Sequence, residues 1–94
     1  MAARKLITIE GQQRPYTDGE WVVYAPDGSA WGSMRPGART ADDPVKAARE
    51  FWGGSTEAMG YLVRGYRIEL MSRERWQREI FPQLLGDSPQ GGEG

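Results

Sequence analysis

Glu20-Trp21-Val22-Val23-Tyr24, then Ala25-Pro26-Asp27-Gly28, then Ser29-Ala30-Trp31-Gly32-Ser33-Met34 reads as a β-hairpin: two strand-forming arms around a turn. Proline presets φ at the first turn position, and glycine takes the left-handed conformation that closes a three-residue loop. Side chains alternate along a strand, so Trp21 and Val23 face one way, Val22 and Tyr24 the other, and both faces of the first arm are apolar. Such a strand is either central and covered on both faces, or it leaves one apolar face open for a partner.

On the N-terminal side, Lys5-Leu6-Ile7-Thr8-Ile9-Glu10 alternates with Ile7 and Ile9 on one side and predicts a strand that Gly11 ends. Residues 12–19 are polar and interrupted by Pro15 and Gly19, which predicts a loop. On the C-terminal side, Arg35 to Thr40 reads as a loop, and Asp43-Pro44 pairs an N-cap carboxylate with proline at the first helical position. Val45, Ala48, Phe51 and Trp52 then fall on one helical stripe, and Gly53-Gly54 ends the helix. Residues 55–65 fit two readings, because Ser55 to Met59 resembles a capped helical turn, Tyr61-Leu62-Val63 has strand propensity, and Gly60 weakens a continuous helix. A strand follows in which Tyr66, Ile68 and Leu70 share one side; its start is open between 61 and 66. Ser72 caps a last helix from Arg73 to about Phe81, with Trp76 and Ile80 one turn apart, and Pro82 ends or kinks it. The expected architecture is a single α+β domain over residues 1–85. It has a small antiparallel or mixed sheet of about four strands with two or three helices packed on one face, and residues 86–94 form a disordered glycine-rich tail.

Composition narrows the chemistry. The 94 residues include no histidine and no cysteine, which removes the usual neutral-pH base, the thiolate nucleophile and the soft zinc ligands. The adjacent Asp42 and Asp43 are better explained by a helix start, where acids cap free N–H groups and oppose the positive end of the helix dipole, than by a metal or proton site. Gly28-Ser29-Ala30-Trp31-Gly32-Ser33 lacks the lysine and the strand-to-helix context of a phosphate-cradling loop. No catalytic set remains, so the expectation is a protein that is not an enzyme and needs no cofactor or metal. The apolar run near the N-terminus is too short for a signal core or a membrane span, so the expected location is cytoplasmic, with no membrane partner.

Two surfaces are candidates for binding. The first is aromatic: four Trp, four Tyr and two Phe are more than so small a core is expected to take, which points to Trp21, Tyr24 and Trp31 of the hairpin as partner contacts, with Tyr16, Trp52 and Tyr61 as further candidates. The second is basic: Arg64, Arg67, Arg73, Arg75 and Arg78 stand against only Glu69 and Glu74, with Tyr66 and Trp76 between them, a mixture suited to phosphate contact and base stacking. Against a nucleic-acid role stand the net charge of −1, the isoelectric point near 5.4, and the helical pairs Glu74–Arg78 and Arg75–Glu79 that would neutralise these cations.

The weight falls on a protein-binding module, an inhibitor or adaptor that occupies a surface of a larger protein or nucleoprotein complex. Trp21, Tyr24 and Trp31 are its first anchors; Arg67, Arg73, Arg75 and Arg78 are its second. In size, arginine bias and lack of catalytic groups the chain resembles short phage-encoded accessory proteins, including inhibitors of host defence such as anti-CRISPRs. That likeness is one of character and implies action by steric block or mimicry. A nucleic-acid-binding domain using Arg64 to Arg78, and a structural subunit that self-associates through an open sheet edge, are the alternatives.

Overall fold

The central turn closes as a three-residue loop. In a computed structural model that describes residues 5–85, the Gly28 N–H donates to the Ala25 carbonyl at 2.9 Å, the Ala25 N–H donates to the Ser29 carbonyl at 2.9 Å, and Gly28 sits at φ 90°. The tail expected over residues 86–94 lies outside the described residues.

The arms of this hairpin are β3 (Gly19–Tyr24) and β4 (Ala30–Met34); β1 (Leu6–Ile9) and β2 (Gln12–Pro15) precede them, and β5 (Arg67–Ser72) follows. Strand β5 pairs antiparallel with the other edge of β3, so the three-stranded sheet runs β4-β3-β5 with β3 in the middle. Both faces of this sheet are also covered, one by Ile80 and Trp76 and the other by Ile7, Ile9 and Phe51, which explains why both faces of β3 are apolar. Trp21 is 3% exposed, and Val22 and Val23 are fully buried. The expectation that Trp21 contacts a partner is therefore corrected: it is core, because its strand is sandwiched.

Strands β1 and β2 form a separate antiparallel hairpin, Ile9 opposite Gln12, across a two-residue turn in which Glu10 (φ 53°) and Gly11 (φ 84°) are both left-handed. The loop predicted over residues 12–19 is thus a strand followed by a short 3-10 turn, Tyr16–Asp18. Backbone pairing does not need apolar side chains, and a two-residue turn of this handedness matches the twist of a hairpin.

Helix α1 (Pro44–Trp52) begins where the sequence predicts, with Asp43 Oδ1 accepting from the N–H groups of Val45 (3.0 Å) and Lys46 (3.2 Å), and it ends at a left-handed Gly53. The ambiguous stretch resolves as helix α2 (Ser55–Val63). Ser72 caps the last helix, α3 (residues 73–84), its Oγ accepting from the Arg75 N–H at 3.2 Å. Pro82 does not end α3: the segment Trp76–Ile80 widens into a π-helix, with the Phe81 N–H donating to the carbonyl of Trp76, and the helix continues over Phe81–Leu84. Proline lacks the N–H for the ordinary bond four residues back and crowds that carbonyl, and a widened turn avoids both problems.

The α+β class with antiparallel strands is as read from the sequence; the strands number five, in two sheets. The helices do not share one face. Val22 and Met71 pack with Ile80, joined by Tyr24, Trp76 and Leu84, so α3 covers the Val22 side of the sheet. On the Trp21 and Val23 side, Ile7, Ile9 and Ala41 pack with Tyr16 and Leu70, while the Phe51 ring of α1 lies over Gly32, the partner of Val23.

Candidate docking surface

Pairing between β3 and β4 slips by one residue: Val23 faces Gly32, but Tyr24 faces Ala30, so Trp31 is the extra residue of a bulge. A bulge re-aims its side chain, and here Trp31 joins rings from α1, from α2 and from Tyr66, the residue that precedes β5. Its ring lies 5.2 Å from Tyr66, 5.5 Å from Tyr61, 6.0 Å from Phe51 and 6.4 Å from Trp52, centroid to centroid, and Trp52 stacks on Tyr61 at 4.9 Å. Gly32 makes room for this group, since a Cβ there would sit 2.9 Å from Phe51 Cζ. Trp31 is 45% exposed and forms the outer edge of the cluster; the other four rings are half-buried. Trp52 and Tyr61, candidates from aromatic surplus, belong to the same cluster, and Tyr16 is half-buried against Ile7 and Ile9.

The two helices that supply these rings also carry the largest apolar exposure. Small Ala47, Ala48 and Ala58 turn inward, whereas Val45 (63% exposed), Met59 (62%) and Val63 (77%) face out, with Leu62 beside them. The stripe predicted for α1 is corrected at Val45, because the helix is rotated so that Ala47 and Ala48 take the buried position. Between α1 and α2 runs a groove of about 170 Å³, walled by Val45, Ala48 and Arg49 on one side and Ser55, Ala58, Met59 and Leu62 on the other. Of its lining only Arg49 is charged. Met59, Leu62 and Val63 escaped the sequence reading because residues 55–65 had no settled element. Once the stretch is helical, an apolar surface spanning Ala58, Met59, Leu62 and Val63 is wider than one packing contact uses.

The basic candidates are largely engaged. The Arg73 guanidinium donates to the Thr17 carbonyl at 3.0 Å and lies 3.9 Å from Glu20; Arg75 pairs with Glu79 at 3.0 Å, as predicted, and lies 3.8 Å from Glu10. Arg67 pairs with Glu69 and sits over the Tyr24 ring. The predicted Glu74–Arg78 pair is replaced by Glu74–Arg14 at 2.8 Å, because β2 brings Arg14 alongside α3, and this guanidinium holds the Glu74 carboxyl below its ordinary range. Arg78 is exposed and in no ion pair among the described residues. Tyr24 is half-buried against the Val22 cluster, and burial pushes its phenol up.

Asp42 pairs with Lys5 at 3.4 Å, and Asp43 caps α1 as predicted. Among the described residues no three His, Cys, Asp or Glu side chains gather as a metal site, and no helix is long and apolar enough to cross a membrane. Comparison with protein-family models, with curated proteins and with solved structures finds no match to this chain.

Proposed function

We propose that this chain is a non-enzymatic protein-binding module, an adaptor or inhibitor that occupies a surface of a larger protein or nucleoprotein complex through the α1–α2 groove and the Trp31 edge. The observation that carries the reading is the exposure of Val45, Met59, Leu62 and Val63 on the helix pair that holds the aromatic cluster. Burying such a side chain gains about 1.5 to 3 kcal/mol, so a partner that covered all four would have a substantial driving force before paying the cost of association. The arginine region supports nucleic-acid binding less well, since Arg67, Arg73 and Arg75 already face carboxylates of this chain.

The test is a tagged pull-down from host lysate, nuclease-treated and washed at moderate salt, run side by side with Met59→Asp and a double Arg75→Glu, Arg78→Glu variant. A stoichiometric protein that Met59→Asp loses and the arginine variant keeps is the expected result, with unchanged thermal melting of Met59→Asp showing that the fold survives. Loss in the arginine variant alone, or on nuclease treatment, would transfer the function to the basic region.

A further inference from the structure

The groove has a chemical bias that identifies its occupant. Successive residues of an α-helix are about 100° apart, which puts Lys46 and Arg49 on the flank of α1 next to Val45. Both are exposed and in no ion pair among the described residues. No carboxylate lines the groove. Glu50, exposed and one turn along α1 from Lys46, is outside the groove lining, and Glu57 is turned towards Gly54 on the other side of α2. The surface is therefore an apolar trough with one cation, Arg49, in its wall and a second, Lys46, on the flank beyond it.

We propose that this trough receives an amphipathic α-helix of a partner protein, with carboxylates beside its apolar face to meet Lys46 and Arg49. This rests on the protein-binding reading above and adds the partner's chemistry to it. Four other occupants fit less well. Residues 1–4 and 86–94 of the chain offer only Met1, two alanines and Pro89 as apolar side chains, too little to fill an apolar groove. A second copy would bring its own Lys46 and Arg49 and no groove carboxylate to face them. An extended strand would lay unpaired backbone N–H and C=O groups on apolar side chains, whereas a helix satisfies its own. A lipid surface suits a convex apolar face better than a concave one. Each helix of the pair has nine residues, about 14 Å, which matches anchors at i, i+3 or i+4, and i+7 of a docked helix.

The probes are two synthetic peptides of about 20 residues, long enough to hold helix in isolation, sharing one leucine stripe and differing only in flanks of glutamate or lysine. Binding is read by calorimetry and by the Met59 methyl resonance of the full chain. The glutamate peptide is expected to bind at least tenfold tighter at low salt, with the advantage shrinking as salt rises. Lys46→Glu combined with Arg49→Glu reverses the preference, and Met59→Asp removes both interactions. Equal affinity for the two peptides, abolished by Met59→Asp, overturns the acidic-helix assignment while leaving the protein-binding surface intact. Binding of neither peptide overturns it too, and a pull-down unaffected by Met59→Asp then overturns the surface as well. So does a concentration-dependent doubling of mass that Met59→Asp abolishes, which assigns the groove to a second copy, or Met59-dependent binding to phosphatidylserine vesicles without peptide binding, which assigns it to lipid.

Discussion

Trp21 and Trp31 are ten positions apart on one hairpin, and their surroundings assign them opposite roles. Trp21 is enclosed in the central strand, so Trp21→Ala should cost about 3 to 5 kcal/mol, most of the stability of a domain this small. Trp31→Ala removes a half-exposed ring and its aromatic contacts, and should cost about 1 to 2 kcal/mol while weakening partner binding. Urea unfolding of the two variants separates them; equal losses would show Trp31 to be core and remove the aromatic edge from the docking surface. Glu20 carries a second prediction. Burial pushes its carboxyl above the ordinary range, against the pull of Arg73 and Arg35. The folded chain thus holds this proton more tightly than the unfolded chain, and stability is lost as pH rises through the raised folded value. The melting temperature of Glu20→Gln relative to the natural chain should therefore climb as pH rises above the ordinary carboxylate range. The opposite trend would mean that the attraction of Arg73 outweighs desolvation.

Elements form where short-range chemistry demands them, and their pairing partners place the side chains. Asp43-Pro44, Gly53 and Ser72 mark helix ends in the sequence and do so in the structure, because caps and left-handed glycines act within a few residues. The β1–β2 hairpin was not legible: Glu10-Gly11 lacks the usual Asn or Asp at the first turn position, and residues 12–15 are mostly polar. The bulge at Trp31 was not legible either, since it depends on the register with β3 and on the room left by Gly32. Gly32→Ala should consequently drive a Cβ into Phe51, disturb the ring cluster and cost about 1 to 3 kcal/mol. Loss of the upfield-shifted ring resonances of Trp31 and Tyr66, measured by NMR beside the denaturation midpoint, checks it; an unperturbed spectrum would show that the cluster tolerates the added carbon.

Across the whole molecule, two hydrophobic clusters sit on opposite faces of one three-stranded sheet in which β3 is the central strand, and β5 contributes to both, through Leu70 on one face and Met71 on the other. Hydrogen exchange should therefore find the amides of Trp21, Val22 and Val23 opening only with global unfolding. The β1–β2 hairpin, two strands held by the small cluster of Ile7, Ile9 and Ala41, should open at lower free energy. Equal protection of both would make the hairpin an integral part of the core. The α+β class, the turn at Ala25–Gly28, the helix caps and the lack of histidine and cysteine all followed from composition and from interactions that reach only a few residues along the chain. Long-range contacts assigned the aromatics to core or surface, gave Arg14 to Glu74, rotated α1 to expose Val45, and left the α1–α2 groove uncovered. Burial and ion pairing depend on which distant elements meet, and a periodic pattern specifies that a face is apolar without specifying what covers it.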